Sequence, residues 1–81
     1  MIVRLQLYAA VREAAGTPVL ELPYTPGMTV ADLRRALVQK APALEALAPY
    51  LLFAIDADYA ADAAVIPPGA EVACIPPTSG G

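Results

Sequence analysis

One segment of the 81-residue sequence carries the apolar spacing of a full amphipathic helix, and the other apolar runs are shorter. The segment begins at Thr29, where Asp32 three residues later completes a capping box, and it is ended by Pro42. Apolar side chains recur on one side of it at the spacing i, i+3 and i+7, at Val30, Leu33 and Leu37. Because strand-like runs lie on both sides of this segment in the sequence, we expect an α+β domain in which one main helix packs on one face of a sheet.

The strands of this sheet are predicted from short alternating or apolar runs. Residues 2–8 alternate apolar with polar side chains, and residues 19–22 lie between two prolines, as an edge strand does. Residues 51–55 form a third, apolar run, and residues 71–75 form the last strand, after a Pro-Pro-Gly turn.

The connections are predicted to be short. Residues 9–15 suit a helical turn that Gly16 stops, and a second turn is expected around Leu44 and Leu47. The segment from Asp56 to Asp62, around Tyr59, is interpreted as a polar turn, since it lacks the glycine and closing glutamate of a calcium loop.

The composition excludes several kinds of function. The net charge is −3, and the five basic residues do not form the positive cluster that nucleic acids attract. The sequence has no histidine and one cysteine, Cys74, which leaves neither an internal disulfide nor the usual ligands for zinc, so no metal site is expected. Neither a secretory signal nor a membrane span is indicated, and we expect a cytoplasmic protein.

For the single cysteine and the two adjacent arginines, we expect structural roles and no chemical function. Cys74 lies in an apolar strand without a basic neighbour, which favours core packing over reactivity. Arg34 and Arg35 are expected to lie on a solvated face of the helix.

The last six residues differ in character from the rest of the chain. Pro76 and Pro77 lack backbone N–H donors, so a sheet ladder must end there, and residues 78–81 are expected to project as a flexible tail beyond a domain of residues 1–77. Four extended residues reach about 14 Å. Gly80 and Gly81 carry no side chain, so a narrow channel in another protein can close around them.

The segment from Glu71 to Gly81, EVACIPPTSGG, closely resembles the ending of MoaD-type sulfur carriers, the small subunits of molybdopterin synthase in the MoaD/ThiS ubiquitin-like family. The start of the chain, LYAAVRE before Gly16, is similar to the opening of the same family. Asp56 stands where many relatives have asparagine, and a Pro-Gly-Ala turn replaces a common Asp-Gly-Asp turn. Both departures lie in loops away from the tail.

This resemblance implies a ubiquitin-like β-grasp fold and a sulfur carrier that binds no cofactor itself. An E1-like adenylating enzyme would use ATP to activate the carboxylate of Gly81, and a sulfurtransferase or cysteine desulfurase would supply the sulfur of a thiocarboxylate. The tail would then enter the large catalytic subunit of molybdopterin synthase, which builds the dithiolene of molybdopterin from a cyclic pyranopterin precursor. In this sequence Gly81 carries the reacting group, and Gly80 permits threading.

The resemblance also implies a surface that contacts the large subunit at the base of the tail. Tyr8 and Ile75 fall on the side of their strands opposite the predicted core, and Tyr59 lies in the polar segment. The remaining residues predicted to contact the partner lead into the tail: Pro76, Pro77, Thr78 and Ser79.

Other functions stay open from the sequence. Carriers of the same mechanism serve thiamine, cysteine or tRNA thiolation. A ubiquitin-like modifier of other proteins would share the same ending, and Lys40, the one lysine, or the amino group of Met1 would then be its sites for self-linkage. A plain binding module with an incidental tail is the third alternative.

Overall fold

The computed structural model describes residues 1–77, which form five strands, two α-helices and two single turns of 3₁₀-helix. The elements in chain order are β1 (Ile2–Leu7), α1 (Ala9–Ala15), β2 (Val19–Pro23), α2 (Val30–Lys40), the 3₁₀ turns Pro42–Leu44 and Ala48–Tyr50, β3 (Leu52–Ile55), β4 (Asp58–Ala60) and β5 (Val72–Ile75).

The strands form one mixed sheet in the order β2-β1-β5-β3-β4. β1 pairs with β5 in parallel, and the other three pairings are antiparallel. The last strand of the sequence therefore lies at the centre of the sheet, and β2 is an edge strand, as its two flanking prolines predicted. The α+β class with one main helix is confirmed.

The core lies between the helices and one face of the sheet, which we call the inner face. Alternation along β1 sends Val3, Leu5 and Leu7 to this face, where each is buried. The largest fully buried side chains come from all parts of the chain: Phe53, Leu5, Leu7, Leu22, Leu33, Leu37, Leu44, Leu51 and Ile66. Buried apolar area of this kind is the main favourable term in folding.

Helix α2 begins at the predicted capping box, and its predicted apolar stripe is buried. The Thr29 hydroxyl accepts a hydrogen bond from the Asp32 N–H at 3.2 Å, and an Asp32 carboxylate oxygen accepts one from the Thr29 N–H at 3.0 Å, which completes the capping box. The hydrogen bonds from Thr29 hold the pKa of Asp32 below its ordinary value. Val30, Leu33 and Leu37 form the buried stripe.

The segment that follows β4 is tied to the start of α2. Val30 and Ala31 donate their N–H groups to the carbonyl oxygens of Ala64 and Asp62, both at 3.0 Å, so two N–H groups that a helix leaves without partners are satisfied. The buried Tyr24 hydroxyl donates to the Ile66 carbonyl at 2.6 Å. These contacts hold residues 61–66 against the helix.

The prediction that Arg34 is solvated is wrong. Its Nη1 donates to the carbonyl oxygens of Ala48 and Leu51 at 2.6 and 2.8 Å, and its Nη2 lies 2.6 Å from a carboxylate oxygen of Asp62. The guanidinium also lies over the Phe53 ring, 4.9 Å from its centre. Arg34 therefore connects α2 to two later segments, and this role was hidden because those partners are distant in sequence.

Arg35, the neighbouring residue, is exposed as predicted. It pairs with Asp32 one helical turn earlier, and its side chain keeps 70% of its accessible surface. The two adjacent arginines thus differ because only Arg34 reaches the carbonyl groups of residues 48 and 51 and the carboxylate of Asp62.

The prediction of a polar turn from Asp56 to Asp62 is also wrong, because residues 58–60 form strand β4. The turn itself has two residues, Asp56 and Ala57, with φ of 49° and 74°. Positive φ at both positions is the geometry of a tight hairpin turn, which Asn-Gly usually signals. Asp-Ala gives no such signal, so the second strand of the hairpin was missed.

No helix within residues 1–77 combines the length and the apolar character needed to cross a membrane.

Candidate functional site

The central strand β5 leads out of the sheet through Pro76 and Pro77. In the parallel pairing with β1, the Tyr8 N–H donates to the Cys74 carbonyl at 3.3 Å, and the next donor would be the N–H of residue 76. In the antiparallel pairing with β3, the register Leu52↔Ile75 makes residue 77 the next donor. Pro76 therefore ends the pairing with β1, and Pro77 ends the pairing with β3, because neither has an N–H to donate. The chain separates from both neighbouring strands at the same point.

The outer face of the sheet, opposite the helices, carries exposed apolar side chains near this exit. The register Leu7↔Cys74 sets Tyr8 beside Ile75, and Leu52 pairs with Ile75 on the other side. Tyr59 is set opposite Ala54 on the same face. Tyr8, Leu52 and Tyr59 keep 45%, 41% and 71% of their accessible surface, whereas Ile75 is half-buried. We call Tyr8, Leu52, Tyr59 and Ile75 the docking patch.

The structure thus brings together three residues that the sequence singled out for partner binding, Tyr8, Tyr59 and Ile75. Pro76 and Pro77 follow directly from the patch, half-buried and exposed respectively. Their contact with a partner stays a prediction. Thr78, Ser79, Gly80 and Gly81 lie outside the described residues.

Residues 1–77 hold neither a thiol of lowered pKa nor a cluster of metal ligands. Burial raises the pKa of the Cys74 thiol to about 12, so the thiol is protonated and unreactive at neutral pH. No group of three or more potential metal ligands occurs in this part of the chain. Every buried side-chain nitrogen or oxygen atom of residues 1–77 has a hydrogen-bond partner.

Comparison with known proteins places the chain in a family. The ThiS family matches residues 5–81. The chain belongs to the ThiS family. The molybdopterin synthase sulfur carrier subunit of Arabidopsis thaliana is 35% identical over 79 residues, which cover 98% of this chain and 82% of the plant protein.

Solved structures of other proteins share this fold. SAMP1 of Haloferax volcanii, a small archaeal modifier protein, superposes with a TM-score of 0.85 and 27% identity over the whole of both chains. A protein in the complex of subunits 1 and 2 of the molybdopterin-converting factor of Helicobacter pylori has the same fold, with a TM-score of 0.68, 16% identity and full coverage of both chains. The predicted ubiquitin-like β-grasp is confirmed.

In this ThiS-family chain, sequence reasoning missed two exposed apolar residues near the exit of β5. Leu52 was not assigned to a face, because residues 51–55 are apolar throughout and show no alternation. Tyr50 keeps 66% of its accessible surface and lies in the 3₁₀ turn just before β3. A predicted pairing of β3 with β5 would have assigned Leu52 to the outer face.

Proposed function

We propose that this chain is the sulfur carrier subunit of a molybdopterin synthase. The observation that carries the proposal is the similarity to the plant sulfur carrier along almost the whole chain. The structure supports it in two ways. The described residues hold neither a thiol of lowered pKa nor a cluster of metal ligands. Beside an apolar surface, the central strand leads into Pro76 and Pro77, which precede the Gly-Gly ending in the sequence.

The reacting group in this proposal is the carboxylate of Gly81. A terminal carboxylate has a pKa of about 3.3–3.7, so it is ionised at neutral pH and resists attack by a nucleophile. An E1-like enzyme activates it with ATP: a carboxylate oxygen bonds to the α-phosphorus, and pyrophosphate leaves. The terminal sulfur of a persulfide on a sulfurtransferase or cysteine desulfurase then attacks the carbonyl carbon, and AMP leaves. A thiol attacks the donor's cysteine sulfur in the resulting acyl disulfide, so that the S–S bond breaks, a disulfide forms on the donor and the thiocarboxylate is released.

The partner in the second half of the cycle is the large subunit of molybdopterin synthase. The docking patch buries its apolar side chains against that subunit, and the tail enters the active site with Gly80 at the narrowest point. Sulfur passes to the cyclic pyranopterin precursor, where it becomes part of the dithiolene. The Gly81 carboxylate is regenerated, so the carrier is reloaded with ATP and sulfur before each transfer.

Intact-mass spectrometry tests this proposal directly. The chain is incubated with ATP, the adenylating enzyme and a sulfur source, and we expect a mass increase equal to the exchange of one oxygen for one sulfur, located at Gly81. The loaded chain with the large subunit should then convert the pyranopterin precursor. Deletion of Gly81 should abolish both steps while the melting temperature stays unchanged, and loading of the deleted chain would contradict the proposal.

A second candidate is a protein modifier, which the likeness to the small archaeal modifier protein favours. An acyl-adenylate of Gly81 would then be attacked by a lysine amine of another protein, with release of AMP and formation of an isopeptide bond. Mass spectrometry of tryptic digests from the source cells separates the two. Trypsin cuts after Lys and Arg, and the last of these in the chain is Lys40, so lysines of other proteins that carry a branch of residues 41–81 support the modifier. Thiocarboxylate without such branches supports the carrier. Loading without synthesis of molybdopterin would indicate a carrier for thiamine, cysteine or tRNA thiolation.

A further inference from the structure

A small depression lies on the outer face of the sheet beside the docking patch. Its volume is about 190 Å³. The register sets Ala73 and Ala54 side by side between Gln6 on β1 and Tyr59 on β4, so that two short side chains lie between longer ones. The residues that line it include Gln6, Tyr8, Ala54, Ala57, Glu71 and Ala73.

The size of the depression indicates what kind of group it can hold. Pockets for small molecules usually measure about 300–1,000 Å³ and enclose most of the ligand. This depression is smaller, at about 190 Å³, and it opens on a surface that already carries exposed apolar side chains. One protruding side chain of a docked protein fits these dimensions better than a free ligand.

The polar groups around the depression are mainly acceptors. The Tyr8 hydroxyl donates its proton to Gln6 Oε1 at 3.3 Å, which leaves its oxygen lone pairs for an incoming donor. Among residues 1–77 the Glu71 carboxylate forms no ion pair. Arg4, which precedes the Leu5↔Val72 pair of β1 and β5, has its guanidinium 3.6 Å from Glu21. The depression is therefore complementary to a positively charged donor.

The backbone of Glu71 is held in place on the rim. Its N–H donates to an Asp56 carboxylate oxygen at 3.0 Å, and its carbonyl accepts from the Asp56 N–H at 2.8 Å. Because both backbone groups are fixed by the hairpin turn, the Glu71 side chain extends from a fixed position of the backbone. A partner gains more from such a charge than from one on a mobile loop.

We infer that this depression receives an arginine side chain from the protein that docks on the patch. The aliphatic stem lies over Ala54 and Ala73, and the guanidinium lies between the Tyr8 ring and the Glu71 carboxylate. Arginine fits better than lysine because its planar group stacks on an aromatic face and carries five donors. The inference rests on the proposed function and adds to it a contact that determines specificity.

The position of this contact gives it a role in orientation. Tyr8 belongs both to the docking patch and to the depression, so the charged contact continues the apolar one. An apolar patch alone holds a partner without fixing its rotation, whereas a directional charged contact at one side selects a single orientation. That orientation aims the tail at the partner's active site.

The experiment measures the dissociation constant of the full chain with the large subunit of molybdopterin synthase by titration calorimetry, at low and at high salt. Glu71→Gln should weaken binding about tenfold and reduce the salt dependence. Ala73→Leu, which fills the depression, should weaken it at least as much. The matched control is Glu13→Gln, an exposed carboxylate on α1 outside the depression that forms no ion pair within residues 1–77, which should change binding less than about twofold.

The outcomes separate the two proposals. If Glu71→Gln matches Glu13→Gln in affinity and in salt dependence, while the wild-type chain binds and transfers sulfur, the arginine contact is overturned and the proposed function stands. If the wild-type chain does not bind the large subunit, both proposals fall. Because Glu71 is exposed, its variant tests the contact even if Ala73→Leu fails to fold.

Discussion

The inner and outer faces of the sheet both carry large apolar side chains, but only the inner face is covered. On β3 the contrast lies between adjacent residues: Phe53 is 1% exposed beneath the helix, whereas Leu52 is 41% exposed on the opposite face. A small domain stabilises itself mainly by burial of apolar area. Apolar residues left in water at the exit of the last strand therefore indicate a surface for a partner, and stability has to come from the other face.

The largest expected effect is a difference in stability between alanine variants of these two adjacent residues. Phe53→Ala removes a fully buried ring and should lower the free energy of unfolding by about 3–5 kcal/mol. Leu52→Ala should lower it by less than about 1 kcal/mol. Urea denaturation followed by circular dichroism measures both, and an equal loss in the two variants would show that the outer face also supports the fold.

The next largest effect concerns affinity for the large subunit, which should depend on the outer face of the sheet. Tyr59→Ala and Leu52→Ala should each weaken binding to the large subunit by about 2 kcal/mol, roughly thirtyfold, because exposed aromatic and aliphatic anchors carry much of an interface's energy. Val65→Ala, at an exposed apolar residue beside Thr29, is the control and should leave affinity unchanged. Loss of affinity in Val65→Ala alone would contradict the docking patch and place the interface near Thr29.

Within the covered side, the two adjacent arginines of α2 should differ by a smaller amount. Arg34→Met leaves the carbonyl groups of Ala48 and Leu51 without their donor and should cost about 1–2 kcal/mol of stability. Arg35→Met removes one exposed ion pair and should cost less than about 0.5 kcal/mol. Thermal unfolding of both variants provides the comparison, and similar losses would mean that the Arg34 contacts contribute little.

The smallest effect concerns the pH dependence of the helix that covers the core. The pKa of Asp32 is lower in the folded chain than its ordinary value of 3.8, so the folded state releases a proton more readily than the unfolded state. Its contribution is therefore present at neutral pH and is lost as the pH falls below this value. Asp32→Asn should flatten the decline of the melting temperature between about pH 5 and pH 2, and Asp58→Asn is the exposed control, in which the decline should persist.

Much of the fold followed from local patterns. The capping box at Thr29 and the spacing of Val30, Leu33 and Leu37 predicted α2, because helix starts and buried stripes depend on residues a few positions apart. The prolines around β2 predicted an edge strand for a similar reason. Strand β4 was missed, because its turn uses left-handed backbone at Asp56 and Ala57 without the residues that usually announce it.

In the candidate site, too, some features were evident from the sequence and others depended on the strand pairing. The tail and its two prolines were evident from the sequence, since the absence of backbone donors and side chains is a property of single residues. Leu52 and the depression beside Ala73 were not evident, because each depends on which strands are neighbours. Glu71 likewise gained significance only when its backbone was found paired with Asp56.

The sequence by itself determined the helix, the strand alternation, the lack of reactive side chains and the ending through which the chain is proposed to act. The tertiary structure decided that β5 lies between β1 and β3, that Tyr8, Ile75, Leu52 and Tyr59 share one face, and that Arg34 is engaged while Arg35 is not. The physical reason is range: capping, alternation and proline geometry act over a few residues, whereas a shared surface is made by strand pairings that join distant segments.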